Sequence, residues 1–287
     1  MKKKITIPIL IIIVGIFLSL FIFQEDDKGL QRIALLKSEL VNDKREIEFD
    51  IEKVDVKRVF DGDTFQTEAG ENVRLIGIDT PEMNWENGEP DIFAGESLKY
   101  TQEKVLNKTV YLIYDREKED KYGRKLAYVI NEEGIFLNQK LLQKGYASLM
   151  LVPPNTTCSH IFKSCVLNAR KDLQGVWGEW YNLSQSRLEV SWQDADKYLG
   201  QEVTVKDKIV ETAIDGKVNF LRFTREDEKA LQLVIFEKDL RKFAFDPVKD
   251  LKGRDVIVTG RVERYQDILE IIVDTPYQLY LLEQISE

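Results

Sequence analysis

The sequence predicts an α+β, mainly β chain: two strand-rich units behind a single N-terminal transmembrane helix. Three observations predict this. An uncharged apolar run, Ile5–Phe23, opens the chain; short alternating runs broken by turns and three helical stretches follow from Val54; a second series of alternating runs begins near residue 203. At 287 residues, with 43% hydrophobic residues, 14 Phe and 11 Tyr, the chain has the length for two domains and the apolar material for their cores. One His and two Cys in the whole chain argue against zinc sites, a Ser-His-Asp triad and a disulfide scaffold. Hydrolytic chemistry here must run on carboxylates and arginines. The net charge of -9 argues against indiscriminate attraction to nucleic acid.

Lys2, Lys3 and Lys4 precede the apolar run, and Glu25, Asp26 and Asp27 follow it. Nineteen residues at about 1.5 Å each span roughly 28 Å, one hydrocarbon core. The flanking charges place the N-terminus inside and the rest outside the cytoplasm. The alternative is a cleaved signal peptide and a secreted chain; the run is longer than a usual signal core, and no small-residue cleavage pattern follows it. Residues 1–23 are thus expected to be the anchor and 24–49 a juxtamembrane spacer with one amphipathic patch, Leu30, Ile33, Leu36 and Leu40.

In residues 50–180, Val54–Phe60 reads as a strand, Asp61-Gly62 as a hairpin turn and Thr64–Thr67 as its partner. Val73–Ile78 is a third strand, with Arg74, Ile76 and Ile78 on one face; it ends at Asp79-Thr80-Pro81-Glu82, where proline stops sheet pairing. Residues 95–107 read as a helix. Thr109–Asp115 and Arg124–Ile130 read as strands joined through Asp120–Arg124, and Asn138–Lys144 and Ser159–Leu173 as helices.

Each of these polar residues alone is a turn or a solvated strand end. Their order is specific. Asp61-Gly-Asp-Thr64, then Val73-Arg-Leu-Ile-Gly-Ile-Asp-Thr-Pro-Glu82, then Asp120-Lys-Tyr-Gly-Arg-Lys-Leu-Ala-Tyr-Val129, then Leu137-Asn138 and Gly145-Tyr-Ala147, resembles the thermonuclease (micrococcal nuclease) family from about residue 54 to Trp177. The resemblance implies an OB-type five-stranded barrel with three helices, a calcium ion, and cleavage of DNA and RNA backbones. It implies Asp63, Asp79 and the Thr80 carbonyl as calcium ligands and Glu82 as the group that positions or deprotonates the attacking water. Arg74 and Arg124 would hold the scissile phosphate, with Lys121 and Tyr122 on a terminal phosphate. The position of an aromatic ring that stacks on a base is Met150 here, and such stacking is worth about 1–3 kcal/mol per base.

Elementary chemistry agrees. Phosphodiester hydrolysis gathers negative charge on equatorial oxygens, so positioned cations are the main need. Two planar guanidiniums can clamp a phosphate bidentately, which lysine cannot. Carboxylates and a carbonyl suit calcium over zinc. No histidine is required, and His160, beside Cys158, is given no catalytic role. Cys158 and Cys165 are expected to pair outside the cytoplasm; the alternative is two unpaired, partly buried thiols.

Residues 181–191 read as a polar linker, and 192–287 as a second domain with strands at 203–212, 217–224, 231–237, 254–264 and 268–274 and a short helix Asp239–Phe243. Five strands with a helix between the third and fourth is the OB order, so a second OB-type barrel is expected. Gly216–Phe223 and Val256–Val262 resemble nucleic-acid-binding OB domains of the tRNA-anticodon type. Candidate contacts are Lys217, Phe220, Arg222, Phe223, Arg261 and Tyr265, although Phe220 and Phe223 point to opposite faces and one must be core. Residues 188–287 hold 15 Lys and Arg against 21 Asp and Glu, which leaves a weak nucleic-acid grip and a structural or protein-contact role both open.

The function expected is a calcium-dependent endonuclease, membrane-tethered outside the cytoplasm, acting on DNA or RNA, with no protein partner evident. The alternative is a noncatalytic binding scaffold of the same fold. The full set Asp63, Arg74, Asp79, Glu82 and Arg124 favours the enzyme.

Overall fold

In the computed structural model, which describes residues 27–40, 48–84, 88–226 and 230–282, two long strands frame the first unit. These are β1 (Asp50–Val59) and β5 (Thr109–Glu119), paired antiparallel from Asp50↔Tyr114 to Asp55↔Thr109. With β2 (Thr64–Thr67), β3 (Asn72–Leu75) and β6 (Lys125–Asn131) they close a barrel in the order β1-β2-β3-β6-β5. The β3–β6 pair is parallel and the others antiparallel. Alternation fills the interior: Val56, Phe65, Val73, Leu75, Val110, Leu112, Ala127 and Val129 are buried.

The third predicted strand is broken. β3 stops at Leu75, and a separate β4 (Gly77–Asp79) pairs with β7 (Ser148–Met150). Gly77 stands at φ +80°, and a Cβ there would lie 2.6 Å from the Phe162 ring, so only glycine makes this corner. Asn138 fixes it: its side chain donates to the Ile76 carbonyl at 2.9 Å and accepts the Val129 N–H at 2.9 Å. The break re-aims Asp79 away from the line of β3.

Among the described residues, five helices cover this barrel: α1 (Lys28–Leu40), α2 (Ala94–Val105), α3 (Leu137–Gln143), α4 (Ser159–Lys171) and α5 (Val176–Ser186). Within the expected spacer, α1 buries Ile33, Leu36 and Leu40 in the barrel's core, while Leu30 stays exposed. The expected linker is crossed by α5, whose Val176 and Trp177 are buried. The expected anchor falls outside the described residues; among those described, no helix is long and apolar enough to cross a membrane.

The expected disulfide does not form: Cys158 and Cys165 are both free and buried. Cys165 lies in α4 and Cys158 caps it, seven residues earlier. A rise of about 1.5 Å per residue puts them roughly 10 Å apart, beyond the span of about 7 Å that a disulfide tolerates. Burial pushes the Cys158 thiol up to about 12 and raises Cys165 as well.

After a 3₁₀ turn (Trp192–Tyr198), the second unit has two sheets. One has five strands in the order β13 (Glu263–Tyr265), β14 (Ile268–Ile272), β11 (Gln232–Phe236), β10 (Val218–Arg222) and β9 (Glu211–Asp215), with β11 and β14 parallel. The other joins β15 (Leu279–Leu281), β12 (Asp255–Arg261) and β8 (Glu202–Lys208). Short helices α6 (Glu237–Leu240) and α7 (Pro247–Asp250) separate β11 from β12. Leu221, Leu233, Ile235, Val258 and Ile271 fill the space between the sheets.

The two units share a core. Tyr277 and Tyr280 pack edge-on to Trp177, with ring centres 4.6 Å and 6.4 Å away, and the Tyr280 hydroxyl donates to the Trp177 carbonyl at 2.6 Å. Arg170, buried in α4, donates to the Leu279 carbonyl at 2.6 Å; burial draws its guanidinium down to about 10. The described part of the second unit is therefore packed onto the barrel rather than held at a distance.

Candidate active site

The Asp61-Gly62-Asp63 turn joins β1 to β2. The Asp61 carboxylate accepts the Asp63 N–H at 3.0 Å, and the Phe60 N–H reaches the Thr64 carbonyl at 2.9 Å. Gly62 is pressed into the wall: a Cβ there would lie 2.7 Å from Ser97 and from Thr80, and its carbonyl accepts the Thr101 hydroxyl at 2.6 Å. The sequence pattern thus holds Asp63 buried, at 3% exposure, facing β4.

Asp63 accepts the Thr80 N–H at 2.8 Å and the Thr64 hydroxyl at 2.9 Å. Arg74 ion-pairs with Asp63 and, at 2.6 Å, with Asp79, and it donates to the Ile78 carbonyl at 3.2 Å. One guanidinium therefore gathers two carboxylates from β2's entry and β4's end. Burial works against the charge on Arg74, and Asp79 and Asp61 work for it. Asp61, a turn residue by sequence, belongs to this cluster. Burial raises its carboxyl, against the pull of Arg74 and Arg124.

Beyond Asp79 the chain turns at Pro81 and closes a loop: the Glu82 N–H donates to the Asp91 carboxylate, and the Asp91 N–H to the Glu82 carbonyl, both at 3.0 Å. The Glu82 carboxyl itself makes no hydrogen bond among the described residues. Partial desolvation raises it, and the Asp61 and Asp79 carboxylates add to the rise. Glu82 lines one cavity of about 550 Å³ with Asp79 and Thr80; its far wall is Lys242, Asp274, Thr275 and Tyr277 of the second unit. The Tyr277 hydroxyl is buried there with no hydrogen-bond partner among the described residues.

On the other side of Asp79 lies a groove of about 440 Å³ lined by Arg74, Arg124, Lys121 and Tyr122. Asp120 organises its rim: it accepts the Tyr122 and Arg124 N–H groups at 2.9 and 3.0 Å and the Arg124 side chain at 2.8 Å. Despite desolvation, these bonds hold the Asp120 carboxyl below its ordinary value. Lys121 and Arg124 sit over the Tyr122 ring, 4.9 and 5.7 Å from its centre, and Tyr122 is 73% exposed. Asn155 pins the opposite wall through two 2.8 Å bonds to the Glu117 backbone. Met150, opposite Gly77, lies in the groove, and so does Arg241 of the second unit. All five predicted site side chains thus line two cavities or the turn that meet at Asp79. The arginines face one cavity and Glu82 the other.

The donors around Arg74 are oxygen only, the set a hard cation takes. Among the described residues no group of three or more His, Cys, Asp or Glu is arranged as a metal cluster. Arg74 now holds the two carboxylates, so a cation there would share or release that pairing. In kind the residues fit one, while their present arrangement gives both carboxylates to Arg74.

The predicted contacts of the second unit do not converge. Lys217 is exposed in the β9–β10 hairpin, and Tyr265 is 63% exposed on β13. Arg222 is held by Glu211 at 3.3 Å and Gln232 at 3.2 Å, and Arg261 lies in the other sheet, 3.8 Å from Glu202. Phe223 is core, whereas Phe220 is only half-buried. Strand register puts Arg222 on one outer face with Glu211, Glu263 and Glu270, a face with more acid than base.

A closed five-stranded barrel with carboxylates, a bridging arginine and a second arginine at its mouth defines the nuclease class of this fold. Comparison gives the family. The sequence profile described as "Staphylococcal nuclease homologue" matches residues 72–179. Thermonuclease of Staphylococcus intermedius is 38% identical over 125 residues, 42% of this chain and 74% of that protein. Thermonuclease of Staphylococcus hyicus is 34% identical over 125 residues, 42% and 73% of the two chains. Endonuclease YncB of Bacillus subtilis is 30% identical over 131 residues, 44% and 62%. The chain belongs to the thermonuclease family.

Proposed function

We propose that this protein is a calcium-dependent endonuclease that hydrolyses DNA or RNA phosphodiesters at the barrel mouth. The observation that carries the reading is Arg74 drawing Asp63 and Asp79 together beside a groove that also presents Arg124. Arg74 and Arg124 bind the scissile phosphate and counter the charge that grows on its oxygens as the attacking oxygen adds. Asp120 orients the Arg124 fork, while Lys121 and Tyr122 hold a flanking phosphate. Glu82, its proton affinity raised by partial desolvation and by its carboxylate neighbours, takes a proton from the attacking water. Asp63, Asp79 and the Thr80 carbonyl would hold calcium, which supplies Lewis-acid polarisation of the phosphate when bound.

The apolar run Ile5–Phe23 supports a tether that leaves the catalytic unit outside the cytoplasm. The parallel β11–β14 pair, and the run of β8 into β9 and β12 into β13, support reading the second unit as OB-type. The test is hydrolysis of single-stranded DNA by the purified protein in calcium, in magnesium and in chelator. Turnover in calcium, little in magnesium and none in chelator is expected, because magnesium dehydrates reluctantly and demands tight octahedral geometry. Equal turnover in magnesium or full activity in chelator would refute the metal assignment. No turnover under any condition would favour the noncatalytic scaffold.

A further inference from the structure

The second unit reaches the nuclease groove at one point. Just after α6 the chain passes behind β7, where the Leu151 N–H donates to the Arg241 carbonyl at 3.3 Å. This bond fixes the backbone of Arg241 to the strand edge that carries Met150. The Arg241 side chain then lines the groove with Arg74, Arg124 and Lys121. Its neighbour Lys242 turns the other way, bound to Asp239 at 2.8 Å and to the Asp274 carbonyl at 2.7 Å, and lines the Glu82 cavity. Adjacent cations from one turn thus face the two cavities that meet at Asp79.

Their pairing differs. Arg74 is engaged by Asp63 and Asp79, Arg124 by Asp120, and Lys242 by Asp239. Arg241 is exposed and makes no side-chain hydrogen bond or ion pair among the described residues. Among the described residues along the groove, only Lys121 and Arg241 carry positive charge that no carboxylate claims. They belong to different ends: Lys121 to the β5–β6 turn, Arg241 to the Met150 side. A polyanion laid through the groove meets clamped arginines in the middle and a free cation at each end.

We infer that Arg241 is a substrate-binding residue, supplied by the second unit, that holds a backbone phosphate adjoining the scissile one on the Met150 side of the groove. This rests on the nuclease reading above. It gives the second unit a part in the binding groove through Arg241, with binding done by this guanidinium rather than by the acidic outer face of its sheet. It also gives the Met150 side a strand contact that does not depend on base identity.

The test uses the full chain in calcium and two substrates: a single-stranded DNA of about ten nucleotides, and a dinucleotide with one phosphodiester. Arg241→Ala keeps the main-chain bond to Leu151 and removes no pairing among the described residues, so its thermal midpoint should match the unsubstituted protein. On the longer strand KM should rise about tenfold, the size of one charge-assisted contact. The slope of log KM against log salt should fall by about 0.7, one phosphate's share. Arg241→Lys should recover most of the loss, and the dinucleotide, with no second phosphate, should show none.

Unchanged KM and salt slope in Arg241→Ala would overturn the inference. So would an equal loss on the dinucleotide, which would mean a distorted site, or no recovery in Arg241→Lys, which would mean stacking on a base. Anisotropy titration of the same labelled strand separates this inference from the nuclease reading. Weaker binding by Arg241→Ala alongside an unsubstituted protein that binds without cleaving would retain Arg241 and reject the nuclease. No binding by either protein would reject both.

Discussion

Tyr280 ties the two units together. It is 2% exposed, stands edge-on to Trp177 and Tyr181, lies under the Arg170 guanidinium at 5.5 Å, and bonds the Trp177 carbonyl. Tyr280→Phe removes only the hydroxyl and its one hydrogen bond, a loss of about 0.5–1.5 kcal/mol. Tyr280→Ala removes the ring as well, opens a cavity beside Trp177 and should cost about 3–5 kcal/mol. Against a typical total of about 5–15 kcal/mol, the alanine loss is large. Urea unfolding followed by Trp fluorescence and by circular dichroism measures both. The alanine variant's midpoint should fall several-fold further than that of the phenylalanine variant, and both probes should move together. A loss below about 1 kcal/mol in Tyr280→Ala, or an unfolding transition of the second unit that ignores the substitution, would refute the shared core. The same contacts mean that removing residues 192–287 strips cover from Arg170 and Trp177 and damages the nuclease unit itself.

Gly77→Ala should destabilise by about 2–4 kcal/mol, from a Cβ forced against Phe162 and a left-handed backbone, and should lower activity through Asp79; urea midpoints and turnover check both. Titration of the unfolded, unreduced protein with a thiol reagent should find two free thiols, and finding none would restore the disulfide. Glu270 is half-buried, and burial, with Glu263 beside it, raises its carboxyl. The folded state therefore binds this proton more tightly than the unfolded one, so stability falls as pH rises from the unfolded carboxyl's value, about 4.3, through the raised folded value. Glu270→Gln should raise the urea midpoint at pH 7 and give no gain below about pH 4; an equal gain at both pH values would contradict the shift.

The barrel was legible where local chemistry acts alone. Thr64–Thr67 stands as the Asp61-Gly62 turn predicts, and the β5 and β6 strands follow their apolar runs. The break between Leu75 and Gly77 was not legible, because Phe162 and Asn138, which enforce it, come from helices far along the chain. The same holds for α1, whose amphipathic patch gives no sign of which surface it covers, and for α5, whose polar second half hid a helix. In the site, the family's motifs pointed to Arg74, Glu82 and Arg124. Asp61 read as a turn residue, since nothing in an Asp-Gly pair separates a buried acid from a solvated one. Arg241 left no signal: it follows a short helix in another unit, and only tertiary packing brings it to the groove.

In the proposed reaction Glu82 removes a proton from the attacking water beside a phosphate held by Arg74 and Arg124. The most direct test is the turnover of Glu82→Gln on a defined single-stranded DNA at saturating substrate and calcium, beside the unsubstituted protein. The kcat should fall by about 10²–10⁴-fold, the usual range for loss of a general base, while the thermal midpoint and strand binding stay near those of the unsubstituted protein. A Glu82→Gln protein that binds the strand and keeps most of its kcat would contradict this role.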